Sequence, residues 1–472
     1  MQLTMQSDWT RNVKLATFTR ADRANNRNLH GVPILLKETF NTLDKMDTTG
    51  GSLALKGARP SKEAHVVKAL RSAGAVILGK TTITQWSNTR AAKAPNGWTS
   101  VYGQCYGAFH AKQDPQGSSS GAAVAASLDL AAATLGAETW GSIVYPAQRS
   151  AVVGIKPTVG LVSRAGVIPV STHKDTIGPV TRSVKDGAII LNVLAGRDED
   201  DETTGSIPFG SIPDYTKACD KHALEGARIA ISESALRTVT DEDVLDSFQK
   251  AVDLIASMGA TVIRDVDFKE FDPEGHQREN LSFNVMLREG LESYFDQLKV
   301  NPHGIHTLAD LVTFMERTPE EQVERYGIEG FTDARDEPYT SESPEFKDAV
   351  ARMKHLGADI ERLLDVTQCD AIVAPTSADL PFDLGQNPVV TVPLGFYPKD
   401  RKVVRALDSM VAKANNVPYS LSFVGKRFSE ETLIGLAYAF EQATLVGERA
   451  RPCVHSSVEL IFNVAGEGDA KL

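Results

Sequence analysis

The sequence predicts an α/β protein in which helices cover a mainly parallel or mixed sheet. Strand-like and helix-like segments alternate along most of the chain, as they do in layered α/β proteins. The composition, with 42% hydrophobic and 24% charged residues, is ordinary for a globular protein. The 472 residues would allow about three domains, but no linker rich in Gly, Ser or Pro divides them. We therefore expect one large domain spanning residues 1–472.

Short apolar runs predict the strands, and a periodicity of 3.6 residues predicts the helices. In the first third of the chain these are a strand at 32–36, a helix at 63–72 ended by Gly74, a strand at 75–78, a helix of small residues at 121–127, and strands at 130–135 and 152–155. Farther on they are a helix at 241–258 ended by Gly259, strands at 261–263, 371–373, 389–392 and 419–423, and a closing helix at 430–444.

The stretch from residue 267 to residue 346 differs from its surroundings. It is rich in charges, and its helical runs at 277–297 and 306–317 are not separated by a convincing strand. We interpret it as a helical insertion that covers one side of the sheet.

Composition also disfavours several kinds of partner and location. Acidic residues outnumber basic ones 61 to 50, which disfavours nucleic acid or an anionic membrane as the partner. The four cysteines form no C-x-x-C pair, so neither a zinc site nor a secreted disulfide framework is expected. No apolar run has the ~18 residues of a membrane span, and residues 1–12 lack the apolar core of a secretory signal. We expect a cytoplasmic protein without a metal or cofactor.

The most unusual segment runs from Gly117 to Ser142 and consists largely of Gly, Ser and Ala. Small residues allow tight packing of a helix on a sheet, and Gly-rich turns also form nests of N–H groups for anions. A phosphate loop is disfavoured because G-x-x-x-x-G-K-[ST] is absent. A nucleophile elbow centred on Ser119 matches G-x-S-x-G, but Pro115 precedes it where a strand is needed, and no histidine is singled out as its base.

A lysine offers a different base. Lys37 follows the apolar run 31–36 and precedes Glu38. A lysine buried at a strand end loses part of its affinity for protons and can then act as a general base. The alternatives are that Lys37 reaches solvent or pairs with Glu38.

Three blocks of the sequence resemble those of the amidase signature family of serine hydrolases. They are residues 30–38, the pair 117–121 and 141–143, and residues 153–161 with 163–166 and 175–179. Segments 388–393 and 437–442 are also similar, so the resemblance covers nearly the whole chain. It implies an α/β/α layered fold with a central mixed sheet covered by helices.

The resemblance also implies a catalytic triad. In it Lys37 is the base, Ser118 is a bridging serine in a cis peptide, and Ser142 is the nucleophile that becomes acylated. The backbone N–H groups of Thr139, Trp140, Gly141 and Ser142 would form the oxyanion hole. Ser119 would support the same loop or cap the following helix.

Three departures from the family pattern concern the substrate site and the first residues. Trp140 stands where the family has a glycine or a small or polar residue, so its ring either reshapes the site, impairs it or is simply buried. Val144 and Tyr145 stand where an arginine often follows the Gly-Ser-Ile triplet, which favours a neutral or apolar acyl group. Only 36 residues precede Lys37, so the N-terminal helices of the family are expected to be short or missing.

The sequence therefore predicts an amidase that hydrolyses a small, neutral or apolar carboxylic amide through an acyl-serine and releases ammonia or an amine. A small-molecule amide is the expected partner, and a homodimer is possible. Two alternatives stay open. One is an amidotransferase A-type subunit that delivers ammonia to a partner, and the other is a catalytically impaired paralogue that binds a ligand.

Overall fold

The computed structural model describes residues 28–274 and 280–454. Its centre is a mixed sheet of ten strands in the spatial order β7-β6-β8-β10-β9-β4-β5-β3-β1-β2. In chain order the strands are β1 Pro33–Lys37, β2 Val76–Thr81, β3 Ala133–Glu138, β4 Val153–Lys156, β5 Thr176–Thr181, β6 Arg228–Ser232, β7 Thr261–Val266, β8 Ala371–Pro375, β9 Val389–Phe396 and β10 Pro418–Val424. The predicted α/β class and mixed sheet are confirmed.

The helices lie between and beyond these strands. They are α1 His65–Ser72, α2 Ser120–Ser127, α3 Val144–Arg149, α4 Val184–Leu194, α5 Glu233–Arg237, α6 Glu242–Ser257, α7 Leu281–Asp296, α8 Leu308–Arg317, α9 Val323–Tyr326, α10 Glu329–Asp336, α11 Pro344–Gly357, α12 Asp359–Thr367 and α13 Glu430–Thr444. Most predicted elements are present with ends shifted by a few residues. Outside the predicted helical insertion, the elements that were not predicted are α3, α4, α5, α11, α12, β5 and β6.

The pairing of β1 sets the position of the site. Strand β1 runs parallel to β2 on one side and to β3 on the other, so the carboxyl ends of β1 and β3 meet at one edge of the sheet. Strand β5 pairs antiparallel with β3, with Thr176 opposite Glu138. The start of β5 therefore lies at this same edge.

Apolar packing covers both faces of the sheet. On β4, Val153 and Ile155 belong to the large apolar core, whereas Gly154 faces α3, where an added Cβ would lie 2.9 Å from Ala147 Cβ. Because successive residues of a strand point to opposite faces, helices pack on both sides, as the layered prediction requires.

Helices α7 to α10 form a layer with an apolar cluster of its own, which includes Trp86 and Ile168 from the sheet-bearing part of the chain. Buried Glu321 joins this layer to an early loop. Its carboxylate accepts hydrogen bonds from Ser52 Oγ at 2.7 Å and from the backbone N–H of Leu53 at 2.8 Å. The layer is thus joined to loops of the sheet-bearing part of the chain by hydrogen bonds and by apolar contacts.

The structure corrects the prediction for residues 267–346 in two respects. A short strand, Leu298–Val300, pairs antiparallel with Arg59–Pro60, and three residues are too few to show a strand period. The helical region also continues beyond residue 346, through α11 and α12. Of the helix predicted at 277–297, residues 277–279 lie outside the described residues, and α7 begins at Leu281.

Within residues 28–274 and 280–454, none of the helices has the length and apolar character that crossing a bilayer would demand.

Candidate active site

Lys37 ends strand β1 and points into the interior. Its side chain is 1% exposed, and Nζ lies 2.8 Å from Ser118 Oγ and 2.8 Å from the carbonyl oxygen of Ala137. The carbonyl belongs to β3, which runs parallel to β1, so sheet pairing itself brings this partner to the lysine. Neither alternative from the sequence holds, because the amine neither reaches solvent nor pairs with Glu38.

The surroundings of Lys37 favour its neutral form. Burial lowers the pKa of Lys37 to about 7, against the opposing charges of Asp175 and Glu138. A substantial neutral fraction is therefore present at neutral pH, and this fraction increases as the pH rises through 7. A neutral amine can accept a proton from a neighbouring hydroxyl.

Ser118 lies in the loop before helix α2 and is fully buried. The peptide bond between Gly117 and Ser118 is cis, as the family resemblance implied. Glycine is needed at 117 because an added Cβ would lie 2.2 Å from Thr84 Oγ1. The loop therefore passes close to Thr84 while presenting Ser118 to the lysine.

Ser142 lies beside this loop and is 7% exposed. The backbone N–H of Ser119 donates a hydrogen bond of 3.1 Å to the carbonyl oxygen of Ser142, which joins the two serine segments. A hydrogen bond between the Ser118 and Ser142 hydroxyls is not among the contacts of the described residues. The hydroxyl of Ser119 lies 3.2 Å from the Ala137 carbonyl oxygen and makes no capping bond to α2.

The segment between β3 and α3 is shaped by Glu138, the last residue of β3. Its Oε2 accepts hydrogen bonds from the backbone N–H groups of Ile143 at 2.5 Å and Val144 at 3.0 Å. These two hydrogen bonds hold residues 139–142 in a tight turn. Burial raises the pKa of Glu138. The side chain of Val144 lies in the large apolar core.

Trp140 and Tyr145 form an aromatic pair over this turn. Their ring centroids are 6.0 Å apart and the rings are nearly perpendicular. The Tyr145 ring covers Gly141, where φ is +75° and an added Cβ would lie 2.1 Å from Tyr145 Cε2. The Trp140 residue is 44% exposed, so the alternative of a buried structural tryptophan is wrong.

A cavity of about 450 Å³ opens beside the lysine. It is lined by Lys37, Thr139 and Asp175 and by apolar side chains such as Ile168 and Leu298. This volume suits a small organic ligand. Charged side chains also line the cavity. Arg164 pairs with Asp201, Lys62 pairs with Asp200, and Lys68, His65, Glu63 and Glu289 also contribute.

Two carboxylates of this site were not predicted from the sequence. Glu138 lies within the small-residue segment and Asp175 begins the block 175–179, yet their contacts with Lys37 and residues 139–144 depend on strand pairing. The available signal was a carboxylate at a strand end, next to an apolar run. Burying such a carboxylate costs free energy unless it has a partner or a function.

Comparisons with known proteins give concordant similarities. A family model described as Amidase matches residues 5–434. A protein assigned as an amidase in Arthroderma benhamiae is 41% identical over 90% of this chain and 72% of its own length. The structure of peptide amidase from Stenotrophomonas maltophilia matches with a TM-score of 0.80 and 34% identity, over 91% of this chain and 85% of that chain. The A-type subunit of glutamyl-tRNA(Gln) amidotransferase from Caldanaerobacter subterraneus is 30% identical over 88% of this chain and 83% of its own.

Proposed function

We propose that this chain, which belongs to the amidase signature family and is an amide hydrolase acting on carbon–nitrogen bonds, cleaves a small, neutral or apolar carboxamide through an acyl-enzyme on Ser142. The observation that carries the proposal is the distance of 2.8 Å between Lys37 Nζ and Ser118 Oγ, deep in the protein and beside the Ser142 segment. A serine hydroxyl needs such a proton acceptor to become a useful nucleophile.

The proposed reaction passes protons along this line. Ser142 Oγ attacks the amide carbon, its proton moves to Ser118 Oγ, and the Ser118 proton moves to neutral Lys37. When the carbon–nitrogen bond breaks, the relay runs in reverse and protonates the departing nitrogen, so ammonia or an amine leaves. Water then attacks the ester and frees the acid and Ser142.

The turn after β3 supplies the proposed oxyanion hole. The backbone N–H groups of Thr139, Trp140 and Gly141 precede the nucleophile, and Glu138 fixes the far side of the turn. Donors held rigidly in this way stabilise the negative oxygen of the tetrahedral intermediate.

The cavity supports a neutral or apolar acyl group. Apolar side chains form part of its wall, and two of its cations, Arg164 and Lys62, are already paired with Asp201 and Asp200. Because one neighbour by similarity is a peptide amidase, short peptide amides belong in the substrate panel together with aliphatic and aromatic carboxamides.

The proposal predicts covalent labelling of one serine. Treatment with a fluorophosphonate, followed by peptide mass mapping, is expected to place the adduct on Ser142. Ser142→Ala should remove the adduct and the release of ammonia or amine from the panel. Ser127→Ala, in a serine at the end of α2 that is remote from the relay, is the matched control and should behave as the wild type.

Three outcomes would count against the proposal. An adduct on Ser119 would favour the nucleophile elbow, and a folded wild-type chain that gains no adduct would favour an impaired paralogue. Ammonia release that requires added partner proteins would favour the amidotransferase alternative, to which the 30% identity with an A-type amidotransferase subunit points.

A further inference from the structure

Asp175 lies between three parts of the site. These are residues 139–142, which we call the oxyanion segment, the wall of the cavity, and Lys37. It directly precedes β5, whose first residue is opposite Glu138 in the antiparallel pair with β3. Asp175 is therefore next to Thr139, the first residue after β3. Asp175 lines the cavity and is half-buried.

Three donors bind the Asp175 carboxylate. Thr139 Oγ1 donates to Oδ1 at 2.5 Å, while the backbone N–H groups of Val170 and Ser171 donate to Oδ2 at 2.8 and 2.9 Å. One carboxylate thus joins the start of the oxyanion segment to the cavity wall.

The charges around Lys37 come from two strands of the sheet. Asp175 at the start of β5 and Glu138 at the end of β3 both act on its ammonium, and Asp175 has the larger effect of the two. Burial raises the pKa of Asp175, while its hydrogen bonds from Thr139, Val170 and Ser171 and the charge of Arg164 act in the opposite direction. The guanidinium of Arg164 is itself bound at 2.9 Å by Asp201, which compensates much of its charge.

We propose that Asp175 is a positioning residue of the reaction, which fixes Thr139 in the oxyanion segment and, when ionised, favours the ammonium form of Lys37. This inference rests on the proposed function, since it assumes that Lys37 acts as the base. Asp175 does not itself exchange a proton with the substrate. It acts through the geometry of Thr139 and through the balance between ammonium and amine at Lys37.

The proposal predicts the direction in which the pH profile of kcat/KM moves when the charge of Asp175 is removed. Neutral Lys37 is the active form, so kcat/KM of the wild type should rise with pH through about 7. A negative charge favours the ammonium, so its removal lowers the pKa of Lys37. Asp175→Asn keeps the shape and can still accept the two backbone N–H groups. We therefore expect the acid limb of kcat/KM to move to lower pH, by about one pH unit.

A second variant separates geometry from charge. Thr139→Val removes the hydroxyl that binds Asp175 but leaves the carboxylate in place. We therefore expect kcat to fall by about tenfold, the effect of losing one hydrogen bond. The acid limb of the kcat/KM profile should stay at the wild-type pH. Asp359→Asn is the matched control. Asp359 is a buried aspartate that accepts the backbone N–H groups of Glu270 and Phe271, and it is not among the charges that act on Lys37.

The measurements are pH profiles of kcat/KM on the same amide, with thermal unfolding as the check of folding. An acid limb of Asp175→Asn that stays at the wild-type pH or moves upward would overturn the inference and leave the proposed function intact. Unchanged kcat in Thr139→Val would overturn the positioning of Thr139, even if Asp175→Asn failed to fold. A wild-type chain with neither turnover nor an adduct on Ser142 would contradict the proposed function and this inference together.

Discussion

Replacing Lys37 by methionine is expected to lower kcat/KM by about 10³–10⁴-fold, near the upper end of what one general base contributes. Methionine has a similar length and suits a buried position, so the apolar surroundings of β1 should accept it. Ser118 then has no proton acceptor, and Ser142 keeps the reactivity of an ordinary hydroxyl. The oxyanion turn and the cavity remain, so some activity above the uncatalysed rate should persist.

The measurement for Lys37→Met is steady-state amide hydrolysis together with the rate of fluorophosphonate labelling at Ser142. Lys62→Met serves as the control, because Lys62 lines the same cavity and forms a salt bridge with Asp200. We expect at most a small change in kcat for that variant. Activity of Lys37→Met within tenfold of the wild type would assign the base to another group.

Gly141→Ala should have the second-largest effect. The added methyl group would have to occupy the space of the Tyr145 ring, and the residue would keep a positive φ. Left-handed backbone in a residue other than glycine costs about 1–3 kcal/mol, and displacement of one oxyanion donor lowers kcat by about 10²–10³-fold. We expect both losses, measured by urea unfolding and by turnover.

Two controls separate the steric effect from the backbone effect. Gly103 has the same φ of +75° with no atom within 4 Å of an added Cβ, so Gly103→Ala should show the backbone cost alone and retain activity. The double variant Gly141→Ala/Tyr145→Ala removes the ring and should recover part of the lost kcat. If Gly103→Ala and Gly141→Ala behaved alike, the contact with Tyr145 would not matter.

Local patterns predicted the strand that ends at Lys37 and the positions of the two serine segments. The apolar run before Lys37 is strand β1, and a buried strand end is where the lysine is found. The helices at 241–258 and 430–444 were also found, because long periodic segments depend little on the rest of the fold. Strand β6 has a short apolar run and helix α4 has a short helical periodicity. The sequence therefore contains a signal for both elements, although neither was predicted.

Other features depend on contacts between distant parts of the chain. Strand β5 contains Gly178 and Pro179, which normally argue against a central strand. Yet an added Cβ at 178 would lie 1.9 Å from the carbonyl oxygen of Ile155, so close backbone approach demands glycine there. The contacts of Asp175 with Thr139 follow from the pairing of β5 with β3, which no local pattern contains.

Lys37 also links proton binding to folding. In the unfolded chain its pKa has the ordinary value of 10.5, whereas in the folded protein it is about 7. Between these two pH values the unfolded chain binds more protons, so the stability of the fold rises with pH across this window. Below pH 7 both states are charged, and the folded protein bears the full penalty of a buried ammonium, about 5 kcal/mol.

This linkage gives Lys37→Met a second signature, which requires no substrate. The free energy of unfolding of the variant minus that of the wild type should be largest below pH 7 and should decline steadily toward pH 10, as read from urea unfolding at several pH values. A difference that does not vary with pH would mean that the lysine is not desolvated. The group to which we assign the proton transfer is thus also a group that opposes folding in acid.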